Sequence, residues 1–410
     1  MISISGVVSK WLHFFNSNFV SLTLLLESTQ FIRSVFVTRT TILKILLVPD
    51  KFKGSLTAEE VCKALSIGIL RYNKTIEIIN HPMSDGGEGS IDILASSLKL
   101  SKVETEVIDS KGREISTYYY ENKKSAYIEL SKASGLLLVP TDEQNPRYTS
   151  TFGTGQQILH AIKKGNTTIN LFIGGSATND AGIGIAAALG FKFYDEKQLT
   201  LLPIGDSLVK IVDIDSKDVK IDFSKITINC FTDVTNVLFG PNGAAYGFGA
   251  QKGASAEDIE YLDIGLQEFA NVVNDKFSVD ISAISGGGAA GGIGAGLFGL
   301  CNANIKSGWQ MISESTNLEY HILQSDLIIS GEGRLDNQSI NGKVTGAILK
   351  LAKKHNKPVL LIVGDSIVDN LNLKIEIKTI MSRSKDIEDS MQNASSYLSE
   401  IIKDYLTDIK

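Results

Sequence analysis

Glycines, hydroxyls, amides and a single carboxylate crowd residues 173–184, IGGSATNDAGIG, where an apolar run at 169–173 ends. Gly174 and Gly175 let the backbone bend and admit a ligand close to its amides. The helix expected from Ile183 onward would turn unpaired N–H groups and a positive dipole end toward an anion held at Ser176 and its neighbours. Asp180 is out of place in a plain anion site, because a carboxylate repels phosphate unless a metal, a lysine or a substrate hydroxyl stands between them. Phosphoryl transfer to an alcohol reconciles the two. One such loop is also what a simple helix N-cap looks like, since Ser, Thr, Asn and Asp are all favoured there. Recurrence argues for a site. Five loops, at 49–55, 81–89, 174–184, 232–236 and 331–339, each follow an apolar strand and carry acids, amides, hydroxyls or lysines among small residues.

Phosphoryl transfer needs cations on the phosphates, a metal ligand and a base in line with the attacking hydroxyl. Lys51, Lys53, Lys252, Arg334 and Lys343 can supply charge, and glycine amides can form a cradle. Asp85, Glu88, Asp233, Glu332 and Asp336 can hold Mg²⁺ or order lysines. There is no Walker A motif: Gly342-Lys343 comes nearest, but Val344 sits where Ser or Thr is needed. The Gly-rich loop of protein kinases with H-R-D and D-F-G is absent too. Gly286, Gly288 and Gly291 satisfy G-x-G-x-x-G inside the run SGGGAAGGIGAGL at 285–297, a match that arises easily where glycine saturates the sequence. A nicotinamide-dependent dehydrogenase of a small hydroxy acid is therefore the lesser reading. A non-catalytic sensor of small anions is a third, and five acidic loops are a poor design for one.

The elements that must position these residues follow from the apolar pattern. Strands are expected at 45–48 and 76–79, each followed by one of the loops and a helix; Thr57 and Glu60 form a capping box ahead of the helix at 57–70. Successive strand-loop-helix units predict a parallel sheet, whose loops at the carboxyl ends of the strands line one crevice. Alternation at 103–130 with turns at Lys111-Gly112 and 121–124 predicts an antiparallel meander, so a domain boundary is expected near 102. The parallel rhythm returns with strands at 327–330 and 359–363, a helix at 343–355 and one amphipathic helix at 386–405. The spatial expectation is that Asp85, Asp180, Asp233 and Glu332 meet at a common cleft.

A chain of 410 residues leaves room for two or three domains and a sizeable core. A net charge of −6 with the basic residues dispersed excludes a clustered basic surface, so no nucleic-acid partner is expected. Cys62, Cys230 and Cys301 stand far apart and the five histidines show no ligand spacing, which excludes a disulfide framework and a zinc site; His81 alone lies beside one of the loops. Residues 1–43 contain apolar runs broken by polar residues, none long enough for a bilayer, so no membrane association is expected. They read as an extension outside the fold, with the start placed too far upstream.

Six blocks in order, PDKFKGSL at 49–56, MSDGGEGS at 83–90, TSTFGTGQ at 149–156, IGGSATNDAG at 173–182, GAQKGA at 249–254 and SGEGRLDNQSINGK at 330–343, closely resemble the type 1 glycerate kinases of bacteria. The resemblance runs from Lys44 almost to the C-terminus. Lys51, Ser84, Ala181, Val237 and Ala250 depart from residues usual in that family, but every acid is kept. The resemblance implies a cytoplasmic enzyme, monomer or homodimer, that transfers phosphate from ATP with Mg²⁺ to D-glycerate, giving 2-phosphoglycerate; a 3-phosphoglycerate-forming enzyme is the alternative. It also implies an α/β fold in which a Rossmann- or flavodoxin-like parallel-sheet domain, 44–102 plus 286–410, is interrupted by a second α/β domain with antiparallel strands, 103–285. On this reading Lys53, Asp50, Ser55, Arg334 and Asn179 hold glycerate, and Asp180 or Asp85 takes the hydroxyl proton. Gly174, Gly175, Ser176, Gly331, Gly333 and Lys343 hold the nucleotide phosphates, and Asp233 and Glu332 hold Mg²⁺.

Overall fold

The computed structural model describes residues 42–336, 339–340, 344–367 and 375–409. The expected extension, as far as residue 41, and Lys343 lie outside the described residues. Two compact units form, one from the chain up to Met83 and from Asn317 onward, the other from Ser84–Thr316.

The first unit is built on five parallel strands: β1 (Lys44–Leu47), β2 (Glu77–Asn80), β11 (Leu327–Ser330), β13 (Val359–Val363) and β15 (Glu376–Thr379), in the order β15-β13-β11-β1-β2. Read within the unit this is 2-1-3-4-5, the flavodoxin-like order, so the parallel-sheet expectation holds. The sequences KILL, LIIS and VLLIV are near-continuous apolar runs because the central strands are buried on both faces. The helix Ala58–Tyr72 starts at the capping box: Glu60 N donates to Thr57 Oγ1 at 3.2 Å and Thr57 N to Glu60 Oε2 at 2.8 Å. It packs on the helix Ala394–Asp408, where a Cβ on Gly68 would stand 2.2 Å from Ser399 O. Two short strands, β12 (Arg334–Leu335) and β14 (Asp365–Ser366), pair with each other. The single C-terminal helix expected at 386–405 is two, Ile387–Gln392 and Ala394–Asp408, with Asn393 between them.

The second unit holds six strands, β3 (Ser101–Ile108), β4 (Glu114–Asn122), β5 (Ser125–Glu129), β6 (Thr168–Phe172), β9 (Thr227–Phe231) and β10 (Asn304–Lys306), in the order β10-β9-β6-β5-β4-β3. The first three make the expected antiparallel meander; from β5 to β10 the pairing is parallel. A separate ribbon pairs β7 (Lys192–Tyr194) with β8 (Asp213–Asp215). This unit runs from 84 to 316, where the meander suggests a start near 102 and the resemblance implies 103 to 285. It begins earlier because the helix Ser90–Ser97 joins the meander, with Tyr118 and Tyr120 hydroxyls both donating to Asp92. It ends later because β10, three residues long and so without a visible pattern, pairs with β9.

The glycine run is a packing surface. The helix Ala289–Cys301 carries left-handed residues at Ala290, Gly291 and Gly292. A Cβ on Gly286, Gly288 or Gly291 would stand 3.1, 2.1 or 2.2 Å from the carbonyl oxygens of Val234, Val237 and Thr178. The apparent dinucleotide fingerprint is thus consumed by backbone contacts, and the dehydrogenase reading loses its only motif. Five residues on, a Cβ on Gly296 would meet Ala181 O at 1.7 Å. Gly296→Ala is expected to lower stability by about 3 kcal/mol in urea unfolding, through overpacking against an immobile carbonyl. Gly112→Ala, with positive φ but open space around it, is expected to lose only about 1 kcal/mol. Equal losses would contradict this packing.

Candidate active site

In the first unit, β1 and β11 are neighbours whose chains leave in opposite directions, to β2 and to β13, so the crevice at their carboxyl ends is where this sheet order places ligands. The two loops there are joined: Asp50 N donates to Gly331 O at 2.9 Å, and a Cβ on Gly333 would lie 3.3 Å from Lys53 N. Lys53 and Arg334 are exposed on these adjoining loops. Asp50 is half-buried and accepts from Lys51 N at 2.7 Å. Glu332 is buried and its Oε2 accepts from Ser339 Oγ at 2.8 Å, while Asp336 Oδ1 accepts from Ser339 N at the same distance. Gly331 is glycine for packing, since a Cβ would meet Ile362 O at 1.8 Å. Ser55 Oγ donates to Met391 O at 2.6 Å, so its hydroxyl is turned to the helix Ile387–Gln392. His81 is a core histidine: burial, then His321 at 5.1 Å between ring centres, lowers its pKa to about 4.

In the second unit three of the expected loops converge. Ile173 N donates to Phe231 O at 3.3 Å, joining the carboxyl ends of β6 and β9. Gly174 lies so close to the 84–89 loop that a Cβ on it would be 2.4 Å from Gly87 Cα, and one on Gly86 would be 2.9 Å from Gly308 Cα. Gly175, with φ +77, is exposed beside them. Asp85 is half-buried; its Oδ1 accepts from Gly87 N at 3.1 Å, and Oδ2 has no partner among the described residues. Asp233 accepts from Ser307 Oγ at 2.6 Å and from Trp309 N at 2.7 Å, capping the helix Gly308–Ser315. Burial raises its carboxyl above the ordinary range, and the nearby charge of Asp85 adds to that.

Asp180 stands apart from these half-exposed acids. It has no exposed surface and accepts from Thr151 N and Oγ1 at 2.8 Å each, Gly182 N at 3.1 Å and Gly184 N at 3.3 Å. Burial pushes its carboxyl up, and the donors around it act in the opposite sense. Asn179 is also buried, and its Nδ2 has no hydrogen-bond partner among the described residues. Ser176 is buried beneath Gly175 and accepts from Lys252 Nζ. Lys252 is itself buried and not the surface cation that its place in a polar loop implies.

Two features escape the sequence pattern. Glu129, at the end of β5, is fully buried and offers both oxygens to Gly89 N at 3.0 Å, with Ser131 Oγ donating at 2.6 Å. It replaces the side-chain cap that the helix Ser90–Ser97 lacks and fixes the end of the loop carrying Asp85. Its only signal is one acid closing an apolar run. Ser307 to Trp309 follow a strand too short to announce itself. Among the described residues no group of three or more His, Cys, Asp or Glu could hold a metal by itself, and no helix is long and apolar enough to cross a membrane. All three cysteines are buried and free.

Parallel α/β sheets with glycine loops, hydroxyls and carboxylates at the carboxyl ends of their strands define a class of ligand-binding α/β protein suited to phosphates. The model of the glycerate kinase family matches residues 45–410, and the chain belongs to that family of kinases. It is 39% identical over 333 residues to the glycerate 2-kinase of Escherichia coli K12, covering 81% of this chain and 87% of that one. It is 38% identical over 324 residues to a glycerate kinase of Bacillus cereus, covering 78% and 85%. A crystal structure described as glycerate kinase 2 from Salmonella typhimurium LT2 superposes with a TM-score of 0.74 at 35% identity, covering 90% of this chain and 98% of that one.

Glu129→Gln would set an amide N–H₂ or a weaker acceptor against Gly89 N. The expected result is a loss of about 1–3 kcal/mol in urea unfolding, with faster amide exchange at 87–91 than elsewhere in the unit. Unchanged exchange there would remove Glu129 from this role.

Proposed function

We propose that this chain transfers the γ-phosphoryl group of ATP to D-glycerate and releases 2-phosphoglycerate and ADP in the cytoplasm. The observation that carries the reading is the convergence of the 84–89, 174–176 and 232–233 segments, backbone on backbone, around a half-exposed Asp85. Membership of the family supports glycerate as the substrate, and the likeness to a relative named as a glycerate 2-kinase favours the 2-position.

Gly174 and Gly175, at the carboxyl end of β6, are the proposed phosphate cradle. Lys53 and Arg334, exposed on adjoining loops, carry charge that suits a carboxylate, which Arg334 could bind bidentately. Asp85 is the proposed base. Of the two acids that the sequence leaves open, it alone has exposed surface and an oxygen without a partner among the described residues, whereas Asp180 already carries four donors. The substrate hydroxyl oxygen bonds to the γ-phosphorus as the bond from that phosphorus to the bridging oxygen breaks. ADP leaves with the bond's electron pair and Asp85 takes the proton. Asp233 retains lone pairs beside its two donors and fits a hard oxygen-seeking cation; Mg²⁺, mostly held by the nucleotide, would neutralise charge developing on the phosphates.

Asp85→Asn is expected to cut kcat by about 10²-fold or more, with both KM values within a few-fold of wild type. An unchanged kcat removes Asp85 as base. Proton-coupled ³¹P NMR of the product tests the position: phosphate on the C2 oxygen couples to one proton and gives a doublet. A triplet, from the two C3 protons, would assign the 3-phosphoglycerate-forming reaction instead.

A further inference from the structure

Lys252 is the one lysine of the second unit placed at 3% exposure, in the short turn Ala250–Lys252. The turn can drive its side chain inward because Gly253 follows at φ +88, so close to Gln144 O that a Cβ would stand 2.2 Å away. No carboxylate lies within ion-pair distance among the described residues. Its Nζ donates instead to Ser176 Oγ and to Thr178 O, each at 2.7 Å, and the charged group acting on it through space is Asp180. Burying an ammonium with a hydroxyl and a carbonyl as its only hydrogen-bond partners is a costly way to fill space. Burial draws its pKa down to about 7, and Asp180 acts against that shift.

Both acceptors belong to the 174–184 loop. That loop is poorly tied by its own side chains: Thr178 Oγ1 and Asn179 Nδ2 are buried without hydrogen-bond partners among the described residues. Its backbone is tied on one side, Leu136 N donating to Gly175 O and Ala177 N to Ser134 O at 2.9 Å each; the Lys252 ammonium adds the charged anchor of the first half, on Ser176 and Thr178, and the Asp180 carboxylate that of the second, on Gly182 and Gly184. Gly174 and Gly175, on the accessible side, take their placement from these backbone bonds together with the two buried charges beneath them.

We infer that Lys252 is a positioning residue for phosphoryl transfer, holding Ser176 and Thr178 from inside so that the Gly174–Gly175 backbone is set to receive nucleotide phosphates. The inference rests on the proposed function and on Lys252 acting through the loop, because its buried Nζ has no route to a ligand on Gly175 while both hydrogen bonds stand.

The test compares wild type, Lys252→Met and Ser176→Ala in binding of Mg²⁺-ATP by calorimetry and in steady-state kinetics with D-glycerate. Lys252→Met keeps the apolar stem and removes the donors; Ser176→Ala removes one acceptor with little change of volume and serves if the first variant does not fold. Loosening the loop is expected to raise Kd and KM for ATP about tenfold in Lys252→Met and about threefold in Ser176→Ala, each corresponding to lost hydrogen bonds. KM for D-glycerate should stay within about twofold. Wild-type ATP affinity in the variants, with or without lower thermal stability, would overturn the inference and leave the proposed function standing. A wild-type chain that neither binds ATP nor phosphorylates D-glycerate would overturn both.

Discussion

The site in the second unit depends on backbone touching backbone where no side chain can intervene. Gly174 against Gly87, and Gly86 against Gly308, bring segments far apart in sequence to within van der Waals contact of one another. A methyl group on Gly174, Gly86 or Gly308 would overlap a Cα atom, so the closeness of Asp85 to Asp233 is a consequence of glycine at its neighbours as much as of the acids themselves. Parallel β6 and β9 supply the direction: both end at the same edge, and the loops have nowhere else to go.

Contacts of this kind leave a loop's backbone polar groups to be satisfied from beneath. Three buried ionisable side chains do it. Glu129 takes Gly89 N, Asp180 takes Gly182 N and Gly184 N, and Lys252 gives to Thr178 O and Ser176 Oγ. Sign follows need: carboxylates meet amides that start helices, and the ammonium meets a carbonyl and a hydroxyl. The buried charges around these loops are therefore scaffolding, and the proposed chemistry falls to the half-exposed Asp85 and to the backbone of the glycine loops. The first unit uses a plainer device. Its two loops share one backbone hydrogen bond, Asp50 N to Gly331 O, and leave Lys53 and Arg334 in solvent.

Periodicity and capping made most of the strand-loop-helix order legible, because buried parallel strands must be apolar throughout and the Thr57–Glu60 box is local. The meander was legible from its alternation. Less could be read where the outcome depends on long-range pairing: β10 is three residues and is a strand only because β9 lies beside it, which moves the limit of the second unit to Thr316. Among the loops, the gathering of 84–89, 174–176 and 232–233 follows from the order of strands. Roles within them do not. Nothing local tells that Asp180 is saturated with donors, that Ser55 is turned to Met391, or that Lys252 points inward while Lys53 points out. Side-chain satisfaction is a property of the packed molecule, and the glycine run shows the same in reverse, a nucleotide-like motif spent on helix packing.

Hydrogen exchange of the intact chain, with and without Mg²⁺ and a non-hydrolysable ATP analogue, addresses the central claim that the paired glycine loops of the second unit receive the nucleotide. The account predicts that the amides of 85–89 and 174–176 slow markedly on addition, while those of 286–291 do not change. Protection confined to 286–291, or none at 174–176 with the nucleotide bound, would contradict it.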